Sequence, residues 1–330
     1  MSYSKLKTAI AAITLLVSCF SFSACNKKQY ERADDTAFVV LMISDIHLDN
    51  TANYTKRAFR TIDDLVALSK PDFIIVTGDL TGVDTRNDLA FISFGEKMES
   101  YNIPWTFTFG NHDSQADTWG RTEIAEYLES LNNCRFEKGD DSVYGCGNQY
   151  FNVTDENGKV IHTIFTLDTS REKGGTHKIE SSQIDWYTRS VKEIASDVNG
   201  DESKVVPSTI FAHIPMREFE GAYVKAKEQN KVVYGKRGEK ECPNGEEDEL
   251  FETMVALGST KAYFCGHEHL NNYVVYLDGI RLTYGETCDH KMYIPTRGGL
   301  IVNFKKDGTV TQQNVSRSRF SSNYKITEEF

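Results

Sequence analysis

Side chains of metal-binding type follow five apolar runs of the sequence, each group directly after its run ends. The groups are Asp45 with His47, Gly78-Asp79, Gly110-Asn111-His112-Asp113, His213, and Gly266-His267-Glu268-His269. An Asp after a strand is commonly a turn residue, and a single histidine beside an apolar run is commonly a core residue. Five such groups at five predicted strand ends instead indicate one shared site, because sites in open α/β sheets form beyond the carboxyl ends of the strands.

The donor types in these groups predict a pair of metal ions. Carboxylate, imidazole and amide oxygen without thiolate suit Mn²⁺, Fe or Zn²⁺ better than they suit a structural, cysteine-rich zinc site. The five groups hold seven candidate ligands. They are too many for one ion that keeps room for substrate, whereas two ions sharing a carboxylate would use them all. His162 and His177 lie outside the pattern and are expected to be structural, while His290 is left unassigned.

The first half of the chain predicts the elements that position three of these groups. Strands are expected at 38–43, 73–76 and 105–109, with amphipathic helices at 54–69 and 89–98 between them. This β-α-β-α-β order implies right-handed crossovers and a largely parallel sheet.

The second half predicts a more mixed arrangement. Strands are expected at 209–212 and 262–265, helices at 179–194 and 247–257, and hairpins around Asn157-Gly158, Asp278-Gly279 and Asp307-Gly308. The segment from Met216 to Asp248 is charged and has little periodicity, so a long functional or mobile loop is expected there. Without a repeat or a linker, residues 34–330 are predicted to form one layered α/β domain.

Taken in order, the five groups resemble the motif blocks of the calcineurin-like metallophosphoesterases. The resemblance covers positions 45 to 269, about two thirds of the chain. It implies a four-layer α/β/β/α sandwich with two metal ions at its rim. It also implies that Asp45, His47 and His269 bind the first metal, that Asn111, His213 and His267 bind the second, and that Asp79 bridges them.

The same resemblance implies catalytic roles for two further residues. His112 is expected near the scissile phosphate, where it stabilises the transition state or protonates the leaving oxygen. Asp113 is expected to orient His112.

Within this family, the sequence resembles the subgroup that is related to purple acid phosphatases. Residues 211–215 and 264–272 carry it. True purple acid phosphatases place an iron-binding Tyr three residues after the bridging Asp, and this chain has Gly82 there, so no purple chromophore is expected. Glu268 stands where the subgroup has Asp, at a position that is not a ligand.

The predicted reaction is direct hydrolysis of a phosphate monoester or diester by water activated between the two metals. The expected partner is a small phosphorylated substrate, and a net charge of −11 argues against nucleic acid. Two alternatives stay open. One is a nucleotide-directed phosphodiesterase or 5′-nucleotidase, and the other is a surface binding protein that keeps the fold without turnover.

The N-terminus predicts export. A basic start, an apolar run over residues 8–17 and small residues after it are typical of a secretory signal peptide. Cys19 and Cys25 each resemble the lipidated cysteine of bacterial lipoproteins, and Cys25 is preferred because polar residues follow it. Residues 1–25 are therefore predicted to be a signal that leaves a lipid-anchored protein at the membrane, with plain cleavage and secretion as the alternative.

Five cysteines lie beyond this segment, at positions 134, 146, 242, 265 and 288. An odd number cannot be fully paired, and no C-x-x-C motif occurs. A bridge between Cys134 and Cys146 is expected in an oxidising compartment, and isolated buried thiols are the alternative.

Overall fold

The computed structural model describes residues 28–31, 38–49, 51–82, 85–116, 118–173, 175–243, 246–291, 293–327 and 329–330. The predicted signal segment, with Cys19 and Cys25, lies outside the described residues. Among the described helices, none combines the length and the apolar composition needed to cross a bilayer.

The described residues form strands and helices that alternate in the first half and mix in the second. The strands are β1 (Lys28–Glu31), β2 (Phe38–Ile43), β3 (Phe73–Thr77), β4 (Trp105–Thr108), β5 (Gln149–Thr154), β6 (Val160–Thr166), β7 (Ser208–Phe211), β8 (Thr260–Cys265), β9 (Val274–Leu277), β10 (Ile280–Tyr284), β11 (Thr296–Phe304), β12 (Val310–Ser318) and β13 (Lys325–Ile326). The helices are α1 (Ala52–Ser69), α2 (Asn87–Glu99), α3 (Arg121–Ser130), α4 (Ser181–Asn199), α5 (Glu218–Glu228) and α6 (Leu250–Leu257).

One sheet has six strands in the order β13-β12-β11-β2-β3-β4. Its β2, β3 and β4 are parallel neighbours, with Val40 opposite Phe73 and Ile74 opposite Trp105. The predicted β-α-β-α-β unit is therefore confirmed. Strand β11 extends the sheet antiparallel to β2, and β12 and β13 continue it with antiparallel pairs. The expectation of a largely parallel sheet was therefore wrong for this sheet as a whole, which is mixed.

The other sheet has seven strands in the order β1-β5-β6-β7-β8-β10-β9. The predicted hairpins β5–β6 and β9–β10 are antiparallel pairs, and β6, β7 and β8 are parallel neighbours. Because β7 and β8 run in the same direction, the residues that follow them lie at the same edge of the sheet.

Three apolar layers separate the four structural layers. The middle layer lies between the sheets and includes Val40 and Met42 of β2 together with Phe151 of β5 and Phe264 of β8. A second apolar layer joins α1, α2 and α3 to the six-stranded sheet, and a third joins α4, α5 and α6 to the seven-stranded sheet. This order of helix, sheet, sheet and helix confirms the predicted α/β/β/α sandwich.

The expectation of a long loop between Met216 and Asp248 was wrong for the first part of that segment. Helix α5 occupies 218–228, and its buried residues are Phe219, Ala222, Tyr223 and Ala226. These positions follow the i, i+3, i+4, i+7 spacing of a helix that buries one face. The pattern was hidden because alanines carry half of the buried face and lysines surround it.

The described residues contain no disulfide between Cys134 and Cys146, and both of these side chains are buried. The expected bridge between Cys134 and Cys146 is therefore not formed. Both side chains belong to the apolar layer beneath the six-stranded sheet, where a thiol packs as a small hydrophobic group.

Candidate metal centre

Four of the seven predicted ligands have a left-handed backbone conformation. The φ angles are 52° at Asp45, 47° at His47, 50° at Asp79 and 78° at His267. Such conformations cost about 1–3 kcal/mol at a residue with a side chain and persist where the surrounding structure enforces them. They turn the chain sharply at the ends of β2, β3 and β8, and this concentration of strain marks the edge of the sheets as a functional site.

The structure brings six of the predicted ligands into two groups of three. Asp45, His47 and His269 form one group, and Asp79, His213 and His267 form the other. Within each group the potential ligand atoms lie within 4.8 Å of one another. In the first group, Nε2 of His269 is 3.0 Å from Nε2 of His47 and 3.4 Å from Oδ1 of Asp45.

Asp79 lies between the two groups. Its Oδ2 atom is 3.5 Å from Nε2 of His47 and 3.3 Å from Nε2 of His213. Asn111, the seventh predicted ligand, joins the second group through Oδ1, which lies 3.1 Å from Nε2 of His213. One carboxylate within reach of both groups is the geometry that a bridging ligand requires.

Two glycines of the sequence motifs leave room for these carboxylates. A Cβ atom at Gly266 would lie 2.5 Å from Oδ2 of Asp45, and one at Gly110 would collide with the Asp79 side chain. Any other residue would therefore displace a predicted ligand, which explains why glycine precedes Asn111 and His267.

Histidine supplies the positive charge that faces the buried carboxylate of Asp79. Burial opposes the charge of Asp79, yet His213 and then His47 hold the pKa of Asp79 well below its usual range. Burial also opposes the charge of His213, but the Asp79 carboxylate raises the pKa of His213 to about 10. Burial lowers the pKa of His47 to about 4. Metal cations fit this site because they supply the positive charge and accept the imidazole lone pairs.

His112 lies at the edge of the site. Its Nε2 atom is 3.9 Å from Oδ2 of Asp79, its side chain is 28% exposed, and its backbone N–H donates to Oδ1 of Asp79 at 2.9 Å. Its Nδ1 lies 2.7 Å from Oε1 of Gln115, a residue that the sequence analysis did not single out. With Nδ1 held by an acceptor, Nε2 is the ring atom left to exchange a proton.

The expectation that Asp113 orients the His112 ring was wrong. The Asp113 carboxylate accepts hydrogen bonds from the backbone N–H groups of Gly110, Asp79 and Leu80, at 2.7, 3.0 and 2.8 Å. It therefore ties the end of β3 to the loop after β4. Sequence adjacency suggested a pair, but consecutive residues in this turn project in different directions.

Asp289 lies behind His269 and was not predicted. Its Oδ2 atom is 3.3 Å from Nδ1 of His269, and the hydroxyl of Tyr54 donates to its Oδ1. Burial opposes the charge of His269, but Asp289 and Asp45 raise the pKa of His269 to about 10. A carboxylate on the far nitrogen of a ligating imidazole fixes the ring and its tautomer. The sequence gives one weak hint, a polar residue soon after β10.

The backbone provides the matching contact for the second group. Nδ1 of His213 lies 2.7 Å from the carbonyl oxygen of Thr77, which leaves Nε2 facing Asp79. A main-chain acceptor of this kind cannot be recognised from residue type.

The remaining histidines lie apart from both groups. His162 is fully buried beside the carbonyl of Gly308, at 3.4 Å. His177 contacts Glu180 at 2.8 Å, and His290 contacts the hydroxyl of Thr61 at 2.9 Å. His162 and His177 are structural, as expected, and His290 belongs with them.

Two plant proteins are similar to this chain in sequence. The chain is 26% identical over 290 residues to "Probable inactive purple acid phosphatase 29" of Arabidopsis thaliana, covering 78% of this chain and 73% of the relative. It is 27% identical over 317 residues to "Probable inactive purple acid phosphatase 14" of the same plant, covering 85% of this chain and 77% of the relative.

Solved structures share the fold at lower identity. A dimetal phosphatase from Danio rerio superposes with a TM-score of 0.61 at 11% identity, over 88% of this chain and 99% of that one. GAP50, described as the anchor in the inner membrane complex of Plasmodium, superposes with a TM-score of 0.53 at 10% identity, over 89% and 88%. The sequence profile of the calcineurin-like phosphoesterases matches residues 38–271, which contain both groups of ligands. The chain therefore belongs to the calcineurin-like phosphoesterase family.

Proposed function

We propose that this protein is a dinuclear metal-dependent enzyme that hydrolyses phosphate monoesters or diesters outside the cytoplasm. The observation that carries the proposal is the position of Asp79, whose Oδ2 atom lies within 3.5 Å of a histidine from each group. Asp45, His47 and His269 would hold one ion, and Asn111, His213 and His267 the other. Bound there, two cations would neutralise phosphate charge and lower the pKa of a water molecule.

His112 is the residue best placed to act on the substrate. It is partly exposed, whereas Asp79 is buried, so a phosphate ester can reach the ring from solvent. Gln115 holds Nδ1, and a protonated Nε2 can then donate to a phosphoryl oxygen or to the leaving oxygen. A positioned proton donor of this type contributes about 10²–10⁴-fold to the rate.

A hydrolysis assay tests the proposal. Purified protein with added Mn²⁺ is expected to cleave p-nitrophenyl phosphate or bis(p-nitrophenyl) phosphate, and the rate should disappear when the metal is removed. The variant His112→Ala is expected to lose about 10²–10⁴-fold in kcat. The matched control is His177→Ala, which removes an imidazole outside both groups and should keep the wild-type rate. An unchanged rate in His112→Ala would exclude the role given to that ring.

The second candidate function is binding without turnover. The specific reason to keep it is that the two Arabidopsis relatives are named as inactive. Against it, the described residues include all seven predicted ligands in reach of one another. Protein that binds two metal ions but cleaves neither substrate class would favour this second function over the first.

Export and lipid anchoring complete the proposal. The basic start, the apolar run and the small residues before Cys25 support them. Labelling of producing cells with radioactive palmitate is expected to mark the wild-type protein and Cys19→Ser but not Cys25→Ser. Release of unlabelled wild-type protein into the medium would favour plain secretion instead.

A further inference from the structure

A pocket lined by six cationic side chains lies beside Asp289 and apart from both groups of metal ligands. Its volume is about 330 Å³, and the cations are Arg57, Arg60, Lys291, Arg297, Arg317 and Arg319. They come from helix α1, from the connection after β10, from β11, from β12 and from the residue that follows β12. The chain as a whole carries a net charge of −11, so this cluster of cations is opposite in sign to the net charge of the protein.

Carboxylates of the described residues offset only part of the positive charge of the pocket. In the described part of the chain, none of the five guanidinium groups forms an ion pair with a carboxylate. Lys291 lies 3.9 Å from Asp289, whose carboxylate is already shared with His269 and Tyr54. Arg297 donates to the carbonyl of Asp289 at 3.2 Å, and this neutral acceptor holds the guanidinium in place without cancelling its charge.

The cations are close enough to repel one another. Arg297 is only 5% exposed, and burial, followed by the neighbouring charge of Arg317, lowers the pKa of Arg297. His290, which also lines the pocket, has its pKa lowered to about 4 by burial and then by Arg297 and Arg317. A buried cation without a charged partner is costly, so an anion that enters the pocket is stabilised by every guanidinium around it.

We propose that this pocket binds a small ligand carrying more than one phosphate group, at a site distinct from the metal centre. The planar fork of arginine matches two oxygens of a phosphate group, which favours phosphate over a single carboxylate. One phosphate group carries at most about two negative charges near neutral pH and cannot balance six cations. The inference stands on the pocket alone and does not depend on hydrolysis at the metal centre.

The test is calorimetric titration of metal-free protein with inorganic tripolyphosphate, after the chelator used to remove metals has itself been removed. The double variant Arg57→Gln/Arg60→Gln alters two exposed side chains one turn apart on α1. Its matched control, Arg189→Gln/Lys192→Gln, removes the same charge at the same spacing from exposed positions on α4, in the opposite outer layer.

The pocket variant is expected to bind tripolyphosphate at least tenfold more weakly than wild type, and the control should bind as wild type does. Orthophosphate is expected to bind much more weakly than tripolyphosphate. Equal weakening in both variants would mean a general charge effect and would overturn the proposal. So would the absence of tripolyphosphate binding by wild type, or equal affinity for orthophosphate.

Discussion

The Oδ2 atom of Asp289 lies 3.3 Å from the Nδ1 atom of His269, an ion-pair contact between a residue outside the ligand set and the ring of a predicted ligand. Loss of such a carboxylate typically weakens metal affinity by about 10- to 100-fold, because the ring is no longer held and its nitrogen is less basic. The variant Asp289→Asn is therefore expected to bind Mn²⁺ about 10- to 100-fold more weakly in a calorimetric titration. Asp278→Asn, in an exposed turn, is the control and should leave affinity unchanged.

Asp113 is predicted to stabilise the fold around the site. Its carboxylate accepts three short backbone hydrogen bonds from two loops, and an amide at this position would present N–H groups to N–H donors. A buried donor left without an acceptor costs about 1–3 kcal/mol, so Asp113→Asn should lower the free energy of unfolding by about 1–3 kcal/mol. Urea unfolding measures the change, and a wild-type midpoint would contradict this role.

Gln115, in contrast, is predicted to affect the rate of catalysis and not the stability of the fold. It contacts Nδ1 of His112 at 2.7 Å near the protein surface, so Gln115→Ala should reduce kcat while leaving unfolding in urea nearly unchanged. The two variants together separate the orienting residue from the structural one. Suppose instead that Asp113→Asn lowered kcat without affecting stability and that Gln115→Ala changed neither kcat nor stability. Asp113 would then be the residue that orients His112, and Gln115 would not.

His162 is predicted to contribute to acid sensitivity. Burial lowers the pKa of His162 to about 3, well below the value of about 6.5 for an unfolded chain. Below pH 6.5 the unfolded state takes up a proton that the folded state does not, so stability present at neutral pH is lost as the pH falls toward 3, by at most about 1.4 kcal/mol per pH unit.

Replacement of His162 by phenylalanine removes this titration and keeps a ring beside Phe304. Between pH 7 and pH 5 the free energy of unfolding of His162→Phe should therefore fall by about 2 kcal/mol less than that of wild type. The comparison cancels the titration of the metal ligands, which both proteins share. Parallel pH profiles for the two proteins would show that His162 does not titrate as described.

Residue type and strand-end position were enough to predict which segments meet at the candidate site, and the family resemblance supplied the individual ligands. Asp45, Asp79 and His213 each follow a run of buried apolar residues, and parallel strands carry their carboxyl ends to one edge, so local pattern implied long-range proximity. The four-layer sandwich, in contrast, came from family resemblance. The periodicity of β2 and of β8 does not predict that the inner faces of these two strands pack against each other.

The parts of the site that the sequence did not predict depend on side-chain direction and on distant packing. Gln115 and not Asp113 meets the His112 ring because of the turn after β4, and Asp289 reaches His269 across a loop with no repeating pattern. The arginine pocket was not predicted either, because it also depends on distant packing. Its cations come from three separate segments, each of which alone resembles an ordinary solvated surface.

Metal content per chain tests the central claim most directly. After equilibration with Mn²⁺ and removal of free metal, elemental analysis of wild-type protein should give about two ions per chain, since the two groups of ligands share Asp79. The variant Asp79→Asn, which keeps the shape but not the charge of the bridge, should retain about one ion or fewer. A wild-type value of one or none, or an undiminished value in Asp79→Asn, would contradict a dinuclear centre bridged by Asp79.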